Sequence, residues 1–190
     1  MPKTLLIALF SIILGLTTAC KITFETSRDI DKANALVREG NALQMDGMRI
    51  KAEAAAQYEQ IVKERPSFED RARLERPLEV VVFQLETARG KLALSAEKSV
   101  EASKLYVPEY FKEYLSLRAG LLSREADVAD IAVRQVRLNY DLSLASAEDF
   151  DERWGALEAE IESLREQQTE LAARVNKIRS EHEESFISLA

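Results

Sequence analysis

With one cysteine and one histidine in 190 residues, this chain is poor in the side chains that most hydrolytic and metal chemistry uses. Cys20 alone allows no disulfide within the chain, so stability has to come from packing. His182 alone leaves almost nothing for a Ser-His-Asp or Cys-His arrangement. No HExxH, phosphate-cradling glycine loop or cysteine cluster with metal-ligand spacing occurs. These absences predict a non-enzymatic protein with no catalytic residues, no metal and no cofactor. Glycine and proline are also sparse, six and four. Few helix breakers, with Ala, Leu, Glu, Arg, Lys and Gln abundant, predict long helices. The net charge of −7 argues against nucleic acid as a partner and against electrostatic adhesion to anionic lipid.

The N-terminus does carry a specific signal. Lys3 is followed by an apolar run of 12 residues (5–16) and then Thr17-Thr18-Ala19-Cys20. The run falls within the roughly 7–15 residues of a secretory signal. It is short of the ~20 that span a bilayer. The arrangement resembles a bacterial lipoprotein signal, although the leucine usual three residues before the cysteine is here Thr17, with Leu16 one position further back. The resemblance implies removal of residues 1–19 and lipid attachment at Cys20. The attached lipid would be the one covalent group on the chain. Each buried CH₂ contributes about 0.8 kcal/mol, and a stable anchor takes more than one acyl chain. Lys21 at the second mature position implies, by the same resemblance, the outer membrane facing the periplasm rather than the inner membrane. The mature chain would have 171 residues and, without Lys3, 25 basic against 33 acidic side chains.

Residues 20–27 read as a lipidated tether, followed by a single helical domain over 28–190. Periodicity divides that domain into helices over about 28–64, 67–105, 109–144 and 147–188. The third carries Tyr110, Tyr114, Leu117, Leu121, Arg124, Val128, Ile131, Gln135, Leu138 and Leu142 at alternating spacings of four and three. The fourth carries Phe150, Trp154, Leu157, Ile161, Leu164, Gln168, Leu171, Val175, Ile178 and His182 in the same rhythm, continuing to Ser185 and Leu189. This is a heptad pattern. Ser67 and Ser146 stand as N-caps, each with an aspartate three residues on. Short connections make consecutive helices antiparallel. The expected fold is therefore all-α, an elongated antiparallel bundle of about four long helices with coiled-coil-like packing. Pro77 and Pro108 are expected either to kink helices or to break them. The fourth helix either pairs with the third or projects and dimerises.

The first helical stretch has two readings. Gly40, Gly47 and Ala54 alternate with Leu36, Leu43 and Ile50, and Ile61 continues the face. A continuous helix with this small-residue row would let a partner helix approach closely. Gly40-Asn41-Ala42-Leu43, Gly47, Ala54, Tyr58 and Pro66 also resemble a single tetratricopeptide unit over 40–66, with two extra residues. That resemblance implies a hairpin turning at Asp46-Gly47 beside a peptide-binding groove.

Three further features are candidate sites. Gln168 and His182 are polar residues within the apolar row of the fourth helix. Gln168 could set register against Gln135 or Arg124. His182 could ease the dipole of the helix end or titrate near neutrality. Tyr106, Tyr110, Phe111 and Tyr114 form an aromatic cluster that either plugs one end of the bundle or binds a partner. The composite expectation is a lipid-anchored scaffold or interaction module of the cell envelope. It has an envelope protein, and possibly a second copy of itself, as partner. The alternatives are a tetratricopeptide-like peptide adaptor, or a periplasmic holdase or small-ligand binder with an apolar cradle or an internal cavity.

Overall fold

The heptad rows of the sequence become the contact surfaces of four antiparallel helices. The computed structural model describes residues 19–22, 28–63, 67–144 and 146–189. Most of the signal, the tether from residue 23 onward and the Arg65-Pro66 helix stop lie outside the described residues. Helix α1 is Arg28–Ile61, α2 Phe68–Ser103, α3 Glu109–Leu138 and α4 Ala147–Glu181. Each packs on its neighbour in sequence, and α1 also reaches α3. At about 1.5 Å per residue, helices of this length extend roughly 45–54 Å. The all-α, coiled-coil-like bundle is thus what forms.

Local chemistry sets the helix ends. Ser67 accepts a hydrogen bond from the backbone N–H of Asp70 to start α2. Ser146 and Asp149 form a reciprocal capping box at the start of α4. Pro108 caps α3, while Pro77 lies inside α2, which runs through it. Proline there gives up one i to i−4 bond without ending the helix.

Two expected ends move inward. Helix α3 stops at Leu138 rather than near 144. The buried Asn139 side chain donates to the carbonyls of Gln135 (2.8 Å) and Val136 (3.4 Å), competing with continuation of the helix. Leu142, expected in the apolar row, is 54% exposed, and Leu144 is buried against Leu138 and Phe150 instead. Helix α4 ends at Glu181, not 188. His182 is its C-cap, and the turn Glu183–Ser185 leads into a strand, β2 (Phe186–Leu189). That strand pairs antiparallel with β1 (Ala19–Ile22), Cys20 opposite Ser188 and Lys21 opposite Ile187. Phe186 and Ile187 have high strand propensity, which extended chain realises once it has a partner strand.

Helix α1 is unbroken through Asp46-Gly47, so no hairpin turns there. Gly47 is needed for close approach instead. A Cβ on it would lie 3.1 Å from Leu92 Cγ and 3.2 Å from the Ala88 carbonyl of α2. The buried row of α1 is Ile30, Ala33, Val37, Gly40, Gln44, Gly47, Lys51 and Ala54, the lysine only partly covered. The expected large members Leu36, Leu43 and Ile50 are half-buried at its flank. The row turns because α1 must face two helices: its small residues meet α2, and Val37, Gln44 and Lys51 turn toward α3.

Helix α2 contributes the buried Arg71, Leu78, Val81, Leu85, Ala88, Leu92, Ser95, Ser99 and Ala102. Val82 is buried beside them, and Ala96 is half-buried. Ion pairs flank the interfaces, as at coiled-coil edges. Lys91 meets Asp46 at 2.6 Å between α1 and α2, and Arg89 meets Asp130 at 3.0 Å between α2 and α3. Arg134 meets Glu160 between α3 and α4. Most are well exposed, and such pairs contribute about 0–1 kcal/mol each. They guide register more than they hold the fold.

Candidate functional site

Helix α3 is central and has two buried rows. The row expected from the sequence faces α4: Tyr114, Leu117, Leu121, Val128, Ile131, Gln135 and Leu138 are buried. The other faces α1 and α2, and the sequence reading missed it. It runs Phe111, Leu115, Arg118, Leu122, Glu125, Ala129, Ala132, Val136 and Asn139, again at alternating spacings of four and three, with Ala132 half-buried. Arg118, Glu125 and Asn139 broke its apolar signature. Counting them as members of the row would have revealed it.

Arg118 and Glu125 are 2% and 1% exposed. Arg118 donates to Ser99 Oγ at 3.3 Å, Asn41 Oδ1 at 2.5 Å and Gln44 Oε1 at 3.1 Å. Glu125 pairs with Lys51 of α1 and accepts a 2.8 Å hydrogen bond from Gln168 Nε2 of α4. Ser95 Oγ donates to the Gly40 carbonyl at 2.7 Å. Two polar clusters one heptad apart, around Arg118 and around Glu125, thus reach all four helices between them. Burying a charge is costly unless it is paired and hydrogen-bonded; Glu125 is paired with Lys51, and Arg118 is hydrogen-bonded to three side-chain oxygens. Gln168 bonds to Glu125 rather than to Gln135 or Arg124, and Arg124 pairs with Asp127 on the surface.

Between Arg118 and Glu125 lies a cavity of about 10 Å³, lined also by Gln44, Met48, Leu92, Leu121 and Leu122. That is near the limit for one water molecule and far below the ~300 Å³ of a typical small-ligand pocket. A shallower cleft of about 390 Å³ between α3 and α4 is lined by Asp127, Asp130, Ile131, Arg134, Glu160, Ser163 and Leu164. Its lining is mostly charged, unlike an apolar cradle.

The aromatic cluster divides. Phe111 and Tyr114 stack on each other and are buried against Ile30 and Ala33 of α1 and Ile178 of α4. Tyr110 is half-buried and stacks on His182, ring centroids 4.0 Å apart. Only Tyr106 of the four is exposed, at 84%. Its backbone N–H donates to Asp29 of α1 at 3.1 Å, tying the α2–α3 turn to the first turn of α1. Phe111 and Tyr114 fill the bundle end with Tyr110 half-buried beside them, and the four do not form one shared open patch. His182 lies at this plug, and the β1–β2 ribbon with Cys20 is joined to the same end of the bundle by the chain on either side.

The opposite end is closed by the turn after α3. Arg71 donates to the Asp141 carbonyl at 3.0 Å, and Asn139 donates to Tyr58 Oη at 3.1 Å. The Ser143 hydrogen bond holds the Asp141 carboxyl below its ordinary value. Burial and the hydrogen bond to Glu79 push the Tyr140 hydroxyl up to about 12. Among the described residues, no group of three or more His, Cys, Asp and Glu could hold a metal ion, and no helix is long and apolar enough to cross a membrane. The chain matches no family model, no curated protein and no solved structure.

Proposed function

We propose that this protein is a lipid-anchored component of the cell envelope that acts as a non-enzymatic scaffold or interaction module, tethered through Cys20. The observation that carries this reading is the order Lys3, apolar run, Thr17-Thr18-Ala19-Cys20. The architecture supports it. Cys20 lies in a strand that pairs with the last strand of the chain. An anchor there would hold the bundle by one end and leave the turns after α1 and α3 farthest from the membrane. The interior supports a structural role too. The cavity beside Arg118 and Glu125 holds only about 10 Å³, and the lone histidine is stacked on Tyr110 at a helix end.

The reading favours the outer membrane, from Lys21, and an envelope protein as partner. Fractionation tests the anchor. The wild-type chain should sediment with membranes and carry a mass increment of acyl chains on Cys20. Cys20→Ser should lack that increment and fail to be processed as a lipoprotein. A wild-type chain with an unmodified Cys20 thiol would overturn the reading.

A further inference from the structure

Helix α2 carries a third row of heptad spacing, and this one faces outward. It runs Arg73, Arg76, Val80, Phe83, Thr87, Gly90, Leu94, Glu97 and Glu101, with spacings of three and four throughout. Every member is exposed except Thr87, which is half-buried. Phe83 is 70% exposed, an unusual position for a large aromatic ring. A Cβ on Gly90 would meet nothing within 4 Å, so the row has an open notch one heptad beyond Phe83. The row is also polar end to end: basic at its start, apolar in its middle, acidic at its finish.

We propose that this face of α2 is a self-pairing surface on which a second copy of the chain docks antiparallel, with the two-fold axis beside Thr87. The row is complementary to itself only in that direction. Phe83 then enters the notch at Gly90 of the second copy, and Val80 meets Leu94. Arg76 comes opposite Glu97, and Arg73 opposite Glu101. A two-fold axis repeats each of these contacts. In a parallel pair, arginines would face arginines, and the notches would face each other empty. The monomer leaves the outer charges to local pairs, Arg73 with Asp70 at 4.0 Å and Glu101 with Lys98 at 3.7 Å. The contact would run about 42 Å along the helix, at about 1.5 Å per residue, with a knob-and-hole row like those inside the bundle. The antiparallel pair puts the two Cys20 ends at opposite ends of the dimer, so anchored copies would pair across two facing membrane surfaces; failure of the pairing would leave the Cys20 reading untouched.

Thiol crosslinking of the full chain tests the docking, with the unsubstituted chain as the background for Cys20. Thr87→Cys should give an oxidised dimer at twice the monomer mass, since residues beside the axis come within disulfide reach. Arg73→Cys alone should stay at background, whereas Arg73→Cys combined with Glu101→Cys should crosslink. Adding Phe83→Glu to Thr87→Cys should lower the dimer yield at least ten-fold with helicity unchanged. Leu94→Glu, at a second exposed position, should do the same. Thr87→Cys at background would overturn the proposal. So would Arg73→Cys crosslinking alone as strongly as Thr87→Cys, or Thr87→Cys crosslinking to a different protein.

Discussion

The two faces of α3 share one spacing but have different chemistry. Toward α4 the row is aliphatic and aromatic, with Gln135 its buried polar member. Toward α1 and α2 it buries Arg118, Glu125 and Asn139 among its apolar residues. An apolar row gains from burial at about 25 cal/mol per Å² and tolerates sliding between similar side chains. A charged row holds only in the register where each donor finds its acceptor. The comparison suggests that the α1–α2–α3 unit is specified by polar matching, and that α4 is held mainly by apolar burial. Gln168 is the point where α4 joins the cluster around Glu125.

Removing one partner from that cluster should have the largest effect. Glu125→Ala leaves the largely buried Lys51 without its carboxylate and should cost about 3 kcal/mol or more, read by urea unfolding. The double change Lys51→Met with Glu125→Leu should recover most of that loss. If Glu125→Ala cost under 1 kcal/mol, the polar face would not be the specifying one. Next in size is the apolar face. Ile161→Ala should cost about 2–4 kcal/mol. Hydrogen exchange should then quicken along α4 while α1 and α2 keep their protection. Equal loosening of all four helices would erase the distinction between the faces.

Smaller effects separate tight contacts from open ones. Gly47→Ala presses a methyl group on Leu92 and the Ala88 carbonyl, and should destabilise by about 1–3 kcal/mol. Gly155→Ala, on the exposed side of α4 with nothing within 4 Å of the added carbon, should stabilise by about 0.4–1 kcal/mol. Thermal melts of the two variants should move in opposite directions. The smallest effect comes from pH. Tyr140, with its ordinary value of 10.0 raised to about 12 in the fold, contributes stability that is complete below pH 10 and lost as pH rises through 12. Tyr140→Phe should remove part of the alkaline loss in that window.

Much of this fold was legible from spacing. Both serine caps, the apolar face of α3 and the buried face of α4 follow from side chains three and four residues apart. Those are local consequences of helix geometry. The second face of α3 was hidden because hydrophobicity marks burial only where burial is apolar. Arg118 and Glu125 look like solvated surface until Asn41, Gln44, Lys51, Ser99 and Gln168 come from distant parts of the chain to meet them. The aromatic group was undecided for a related reason. Four neighbours in sequence left plug and patch both open; the helix turns them to different sides, with Phe111 and Tyr114 buried and only Tyr106 fully exposed. The C-terminal strand could not be read either, because its partner lies at the other end of the chain.

By itself, the sequence determined helix, caps, heptad spacing and the lipoprotein-like N-terminus, all of which depend on residues near one another in the chain. Only the tertiary structure decided that α1 faces two helices and that two charged clusters lie inside the bundle. It also decided that β2 returns to pair with the strand holding Cys20. The physical reason is that such features need partners supplied from far along the chain. A buried charge or a strand edge has no defined state until those partners arrive.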